Sequence, residues 1–254
     1  MLSNTQKNNA IDIINVFNNY GIKNIYTIAA VLAVCMKETQ LTPQSENLSY
    51  SAARLAEVWG VFSKTGKPVK KGLGKDNFNN KAIEYSNNPE KLGNFIYGNR
   101  FGNTDKTGFF YRGRGYNQLT FHDNYKTYQI LIKENLLNNP DKVNEPETAA
   151  KVLFYYFFRN AQRFKIDLNN LTFENAYNVI YAFNAGKKPT TTGEELKNTD
   201  STGGYITGKK FYPYFINFID EAPNVEIKKK INIGFILLIL GVSLIIIKNK
   251  KLKI

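Results

Sequence analysis

Apolar residues recur at helical rather than strand spacing along most of the chain. Ile11, Ile14 and Phe17 form one series, and Ile25, Ile28, Ala29, Leu32 and Ala33 form a second that runs on toward Met36 and Glu38. Recurrence at i, i+3 and i+4 marks one face of an amphipathic helix. The same pattern predicts helices from Ser51 to Trp59, from Pro89 to about Asn99, and near 123–134, 146–160, 172–183 and 209–219. Proline at 89 suits a first helical turn, where its missing N–H has no partner to lose. Segments 64–77 and 100–117 are rich in Gly, Lys and Asn and read as loops. Strand-like alternation is not sustained, although 106–120 allows a short hairpin. These signals describe a mainly α domain over residues 1–225, with two helical lobes and loops between them.

The pattern changes at the C-terminal end. Residues 231–247 read INIGFILLILGVSLIII, with Asn232 and Ser243 the only polar side chains. As a helix those positions span roughly 26 Å, close to the ~30 Å hydrocarbon core of a bilayer. Lysines flank both sides and can snorkel to the headgroups. Residues 226–254 are therefore expected to be a single transmembrane helix anchoring the protein at its C-terminus. No basic segment leads into an apolar run at the N-terminus, so no secretory signal is expected.

Composition narrows the chemistry. The single cysteine, Cys35, excludes an intramolecular disulfide framework. With His122 the only histidine, a structural zinc site and a Ser-His-Asp triad both have poor support, and neither metal nor cofactor is expected. The formal net charge is +13, and seven lysines in the last 27 residues supply more than half of it. The rest is spread along the chain, with a cluster at Lys64, Lys67, Lys70, Lys71 and Lys75. This balance suits a polyanionic surface such as a membrane, a nucleic acid or an acidic cell-wall polymer. No nucleic-acid-reading motif accompanies it.

Two acids stand out by position. Glu38 closes the apolar helix, where partial desolvation of its carboxyl would suit a general acid. Glu46 lies eight residues on, in the polar, loop-like stretch TPQSENLSYSA, where a carboxylate is expected to stay ionised. Two carboxylates in contrasting surroundings are the usual equipment of glycoside hydrolysis. The segment GNRFGNTDKTGFFYRGRGYNQLTFHDNY, residues 98–125, is more specific. It holds three of the six arginines, Arg100, Arg112 and Arg114, in a chain that otherwise prefers lysine. A planar guanidinium can fix loop carbonyls or carboxylates in a way lysine cannot. Gly113 and Gly115 permit close backbone approach, and Gln118, Thr120 and Asn124 offer uncharged donors and acceptors suited to a sugar. His122 and Cys35 read as structural residues, and the aromatic run at 154–158 reads as core.

From about Val31 to Ala185 these residues resemble the family-19 glycoside hydrolases, meaning chitinases and the endolysins similar to them. The resemblance is carried by YRGRG followed by QLT and NY, by Lys37-Glu38-Thr39, by Glu46-Asn47-Leu48-Ser49-Tyr50-Ser51-Ala52, and by Arg100-Phe101-Gly102-Asn103. Asn184-Ala185-Gly186 echoes, imperfectly, a later Asn-Gly-Gly turn. The resemblance implies a lysozyme-like two-lobed helical fold with the cleft between the lobes. It implies inverting hydrolysis, with Glu38 as general acid and a second carboxylate activating water, the pair roughly 6.5–9.5 Å apart. Glu46 is the expected second carboxylate, with Glu57 in reserve. The resemblance further implies that Thr120 helps place the water and that Tyr111, Gln118, Asn124 and Asn184 line the glycan site. Lys37 stands where the family commonly has histidine, and puts a fixed positive charge beside the acid.

The expected function is hydrolysis of β-1,4 bonds in peptidoglycan glycan strands, with chitin as the alternative substrate. The other class of reading is a catalytically inactive glycan-binding or structural membrane protein of a virion. An anchored muralytic enzyme without a secretory signal is most simply phage-encoded. It would sit in the host cytoplasmic membrane or in the membrane of a lipid-containing virion, with the bilayer and other virion proteins as partners.

Overall fold

The computed structural model describes residues 2–55, 78–190, 194–199 and 203–221. Its helices are α1 (Asn4–Asn19), α2 (Ile25–Thr39), α3 (Phe78–Tyr85), α4 (Pro89–Tyr97), α5 (His122–Ile132), α6 (Pro146–Phe164), α7 (Ala176–Asn184), α8 (Glu194–Thr199) and α9 (Gly204–Glu221). Short 3-10 turns lie at Pro140–Asn144 and Leu168–Asn170. The chain divides into two compact units. One contains the residues up to Leu41 and those from Phe157 onward; the other runs from Thr42 to Tyr156.

The first unit is built around α2. Every residue from Thr27 to Cys35 is buried, as expected of a helix that is apolar on all sides. It packs chiefly against α9 and α7. Asn24 caps its start by accepting from the Thr27 N–H at 2.9 Å, while its amide donates to the carbonyls of Asn169 and Leu171. Thr27 Oγ1 donates to the Leu168 carbonyl at 2.6 Å. At the far end Gln40 and Leu41 are left-handed, with φ of 53° and 54°. Two amides of α1 hold that turn: Gln6 Nε2 donates to the Gln40 carbonyl at 3.0 Å and Asn9 Nδ2 to the Leu41 carbonyl at 2.7 Å. The helix that carries Glu38 is thus fastened at both ends.

The second unit has two small apolar clusters. Leu48, Leu55, Ala82, Leu92 and Ile96 make one; Tyr111, Leu119, Tyr125, Tyr128, Ile132, Leu136, Val143 and Val152 make the other. The hairpin allowed within 106–120 is an isolated antiparallel bridge between Arg114 and Leu119, closed by two backbone hydrogen bonds of 3.1 and 2.8 Å. Most predicted helices are present, with shifted ends. The helix expected from 172 starts at Ala176, and the one expected at 209–219 spans Gly204–Glu221. Helix α3 was not foreseen, because FNNKAIEY opens on poor helix formers; its Ala82 is held by the first cluster. In the 154–158 run Phe154 and Phe157 are buried, while Tyr155, Tyr156 and Phe158 are half-buried.

The C-terminal anchor requires correction. Among the described residues no helix is long and apolar enough to cross a membrane. The two longest, α6 and α9, carry Glu147, Lys151, Arg159 and Arg163, and Lys209, Lys210 and Asp220, each costly inside a bilayer. The single-pass membrane localisation is therefore not supported, and with it fall the bilayer and virion partners. Residues 231–247 themselves lie outside the described residues, as do Glu57 and the lysine cluster at 64–75.

Candidate active site

In the second unit the loop between α4 and α5 is organised by Arg114, whose side chain is only 2% exposed. Its Nε donates to Asp141 Oδ1 at 2.7 Å, and Nη1 donates to the carbonyls of Phe110 and Arg112 and to the Tyr125 hydroxyl. Tyr125 in turn donates to the Arg112 carbonyl at 2.9 Å. This is the carbonyl-fixing role expected of a guanidinium here. Burial pushes the Tyr125 phenol up to about 12, against the nearby charge of Arg114. Gly115 is required at φ 74°, since a Cβ would press on Val143. Gly113 lets the Gln118 side chain approach: a Cβ would stand 2.8 Å from Gln118 Oε1.

The loop so fixed holds the segment bearing Glu46. The Glu46 N–H donates to the Gly113 carbonyl at 2.8 Å, and Gln118 Nε2 donates to the carbonyls of Gln44 and Gly115, both at 3.0 Å. Asn144 Nδ2 donates to Ser45 Oγ at 2.9 Å. The Glu46 carboxylate meets the Tyr97 hydroxyl at both oxygens, 2.8 and 2.6 Å, so one phenolic proton is shared between them. Burial, and then the hydrogen bond to Glu46, hold the Tyr97 phenol far above its ordinary range, so it is always a donor. Arg112 lies over the Phe109 ring at 4.0 Å and within electrostatic range of Glu46. Burial and the charge of Arg114 set its guanidinium below the ordinary value.

Other expected residues of this unit fall around the same loop. Thr120 Oγ1 donates to the Gln118 carbonyl at 2.8 Å, and Asn124 Nδ2 donates to the Thr120 carbonyl at 2.8 Å. Backbone strain brackets Thr120, with Gln118 at φ 52° and Phe121 at φ 77°. Strain of this sort persists where the surroundings over-determine the backbone, and it concentrates at functional sites. Tyr111 is placed differently from the expectation of a glycan-lining residue. It is 8% exposed within the second cluster, and its hydroxyl donates to the Leu137 carbonyl at 3.2 Å. His122 opens α5 and packs its ring edge-on to Tyr111, in keeping with a structural role.

Tyr97 was missed from sequence, and so was the part played by Asn103. Buried Asn103 donates to the Tyr97 carbonyl at 2.9 Å and accepts from the His122 N–H at 2.9 Å, tying α4 to α5. The available signals were local: an aromatic residue one position before Gly98, and the asparagine closing the RFGN stretch.

In the first unit Glu38 lies on the last turn of α2 and is exposed, with 33% of its side chain accessible. It is less enclosed than the apolar run suggested, because the final turn of α2 buries Thr39 while turning Met36, Lys37 and Glu38 outward. Its Oε1 is 3.4 Å from Lys37 Nζ and 3.4 Å from the Asn184 amide, which closes α7. Asn184 and Glu38 thus lie side by side, and Gly186 at φ 66° ends the turn that follows. Cys35 is a buried thiol, pushed far up by burial and then by Glu38, and is no nucleophile. Among the described residues no group of three or more His, Cys, Asp or Glu side chains is placed to hold a metal ion.

No family model matches the chain. It is similar to a glycosyl hydrolase family 19 domain-containing protein of Haemophilus influenzae, 34% identical over 134 residues. The match covers 51% of this chain and 56% of that protein, so the chain spans little more than half the length of the relative. The likeness supports the family-19 resemblance read from the motifs, and the helical architecture is consistent with it.

Proposed function

We propose that the protein is a family-19-type glycoside hydrolase that cleaves β-1,4 bonds of peptidoglycan glycan strands with inversion. In this reading Glu38 protonates the departing glycosidic oxygen. Glu46 takes a proton from the water that attacks the anomeric carbon from the opposite face, and Thr120 helps place that water. Gln118, Asn124 and Asn184 bind the glycan. The observation that carries the reading is the restraint on Glu46: both carboxylate oxygens share the Tyr97 proton, and its backbone is bonded to Gly113. A carboxylate has about four acceptor sites, so it can take the Tyr97 proton and still accept from a water. The net charge of +13 suits an acidic wall polymer better than neutral chitin.

The test is to digest purified peptidoglycan and, separately, a soluble chitin oligosaccharide with the full chain, and to identify new reducing ends by mass spectrometry. Muropeptides with new reducing ends that disappear in Glu38→Gln support the reading. Cleavage of the chitin oligosaccharide alone would reassign the substrate, and glycan binding without any new ends would make the protein a lectin-like relative.

A further inference from the structure

The turn Asn99–Asn103 is strained in a way the proposed chemistry leaves unexplained. Asn99, Phe101 and Gly102 are all left-handed, with φ of 54°, 43° and 81°. Asparagine and glycine adopt that conformation readily, whereas for a bulky aromatic it is an outlier. Phe101 is also 63% exposed, so it gains little from burial. Local pattern alone would favour another asparagine here. The turn is nevertheless rigid. The Asn103 N–H donates to the Arg100 carbonyl at 2.9 Å, and the Asp123 N–H donates to the Phe101 carbonyl at 3.2 Å. At Gly102 a Cβ would collide with the Asp123 carboxylate.

The exposed ring is the outer member of an aromatic series that leads back to the restrained carboxylate. Phe101 meets Phe121 with ring centroids 4.9 Å apart, and Phe121 meets Tyr97 at 5.5 Å. The hydroxyl of Tyr97 holds Glu46. The Arg100 guanidinium lies 5.7 Å from the Phe101 centroid and 5.1 Å from that of Phe121, keeping the two rings in register from one side. A rigid aromatic ring, presented to solvent against its backbone preference, matches what a pyranose needs. The sugar's axial C–H groups form an apolar face that lies on a ring, while its hydroxyl and acetamido groups stay at the rim.

We propose that Phe101 is a stacking platform for one amino-sugar ring of the substrate, forming a subsite at the outer end of the aromatic series that leads to Glu46. The inference rests on the glycan-hydrolase reading above and adds a residue that takes no part in proton transfer. Its role is to raise affinity and set register, so its loss acts on KM more than on kcat.

Phe101→Asn is the informative variant, because asparagine tolerates the left-handed backbone while removing the ring. Binding is read by co-sedimentation of the full chain carrying Glu38→Gln with purified peptidoglycan sacculi, and catalysis in the otherwise unmodified chain. The expected result is about tenfold weaker binding and higher KM for Phe101→Asn, with kcat changed less and Tm equal or raised. Phe101→Tyr, which keeps the ring, should bind within about twofold of the parent. The proposal is overturned if Phe101→Asn binds sacculi as the parent does while the parent cleaves them. It is equally overturned if loss of binding tracks a lowered Tm in both variants, which would make Phe101 a support for Phe121. If the Glu38→Gln chain does not sediment with sacculi and the unmodified chain releases no reducing ends, the hydrolase reading itself fails and takes the subsite with it.

Discussion

Glu38 stands on the last turn of a helix that is apolar on every side, whereas Glu46 stands on a loop with no regular structure of its own. The two are positioned by opposite means. Glu38 is placed by the burial of Thr27–Cys35 beneath it and by the amide caps Asn24, Gln6 and Asn9; among the described residues its carboxyl has two long contacts, both 3.4 Å. Glu46 has no such helix, and its carboxylate is gripped at 2.6 and 2.8 Å by a phenol from α4. A loosely held carboxyl can rotate as it gives up a proton. A gripped one keeps its remaining lone pairs in a fixed direction. The contrast matches the acid and base roles proposed for them, and it predicts that substitutions around the two sites will not be equivalent.

The largest effect belongs to the carboxyls. Glu38→Gln should reduce wall lysis by about 10²–10⁴-fold while leaving the fold intact, since nothing buried depends on it. A residual rate within about threefold of the parent, measured on purified peptidoglycan, would remove Glu38 from the mechanism. Glu46→Gln should be comparably impaired. An active Glu46→Gln beside an inactive Glu57→Gln would move the base to Glu57.

Next come the neighbours, where the comparison can be broken directly. Tyr97→Phe removes a charged-acceptor hydrogen bond of about 1.5–3 kcal/mol and frees the Glu46 carboxylate, so kcat should fall by roughly 10–100-fold. Asn184→Ala removes the long 3.4 Å contact to Glu38 along with a proposed glycan contact, so its effect should fall on KM more than on kcat, with kcat down less than about fivefold. Steady-state rates of the two variants decide the matter. Equal losses would mean that both carboxyls are held alike, and the division into a mobile acid and a fixed base would be wrong.

What the sequence disclosed follows the range of the interactions. The loop architecture was legible because its determinants are neighbours: Arg114 reaches carbonyls two and four residues away, and Gly113 faces Gln118 five residues on. The helices were legible where apolar spacing is strong, as in α2, and invisible where packing overrides weak propensity, as in α3. Tyr97 was missed because its partner lies 51 residues earlier, and the local signal, an aromatic residue before Gly98, does not say what its phenol bonds. The exposure of Glu38 was misjudged for a related reason. An apolar run shows that a helix is buried, but not where its last turn leaves the core. The expected anchor shows the same limit: a hydrophobic stretch licenses a span, and no described helix is one.

The smallest effect is invisible at neutral pH and separates the two modes of support. The caps that fix α2, Asn24, Gln6 and Asn9, do not titrate, whereas the network behind Glu46 contains Tyr125, whose phenol is pushed up to about 12 by burial. A phenol ionises near 10 in the unfolded chain. Below pH 10 both states keep the proton and the full stabilisation is present. Above it the unfolded chain releases the proton first, so stability contributed by Tyr125 declines through pH 12. Tyr125→Phe also loses the bonds to the Arg112 carbonyl and Arg114 Nη1, and at pH 8 it should be about 1–3 kcal/mol less stable than the parent. On raising the pH to 11 the parent surrenders the Tyr125 contribution and the variant has none to surrender. Other tyrosines, Tyr97 among them, titrate in both proteins and cancel in the comparison. The gap between their urea midpoints, followed by circular dichroism, should therefore narrow between pH 8 and pH 11. A gap that stays constant would show that the Tyr125 proton is not held by the fold, and that Arg114 organises the loop through its bonds to Asp141 and the backbone carbonyls without the phenol.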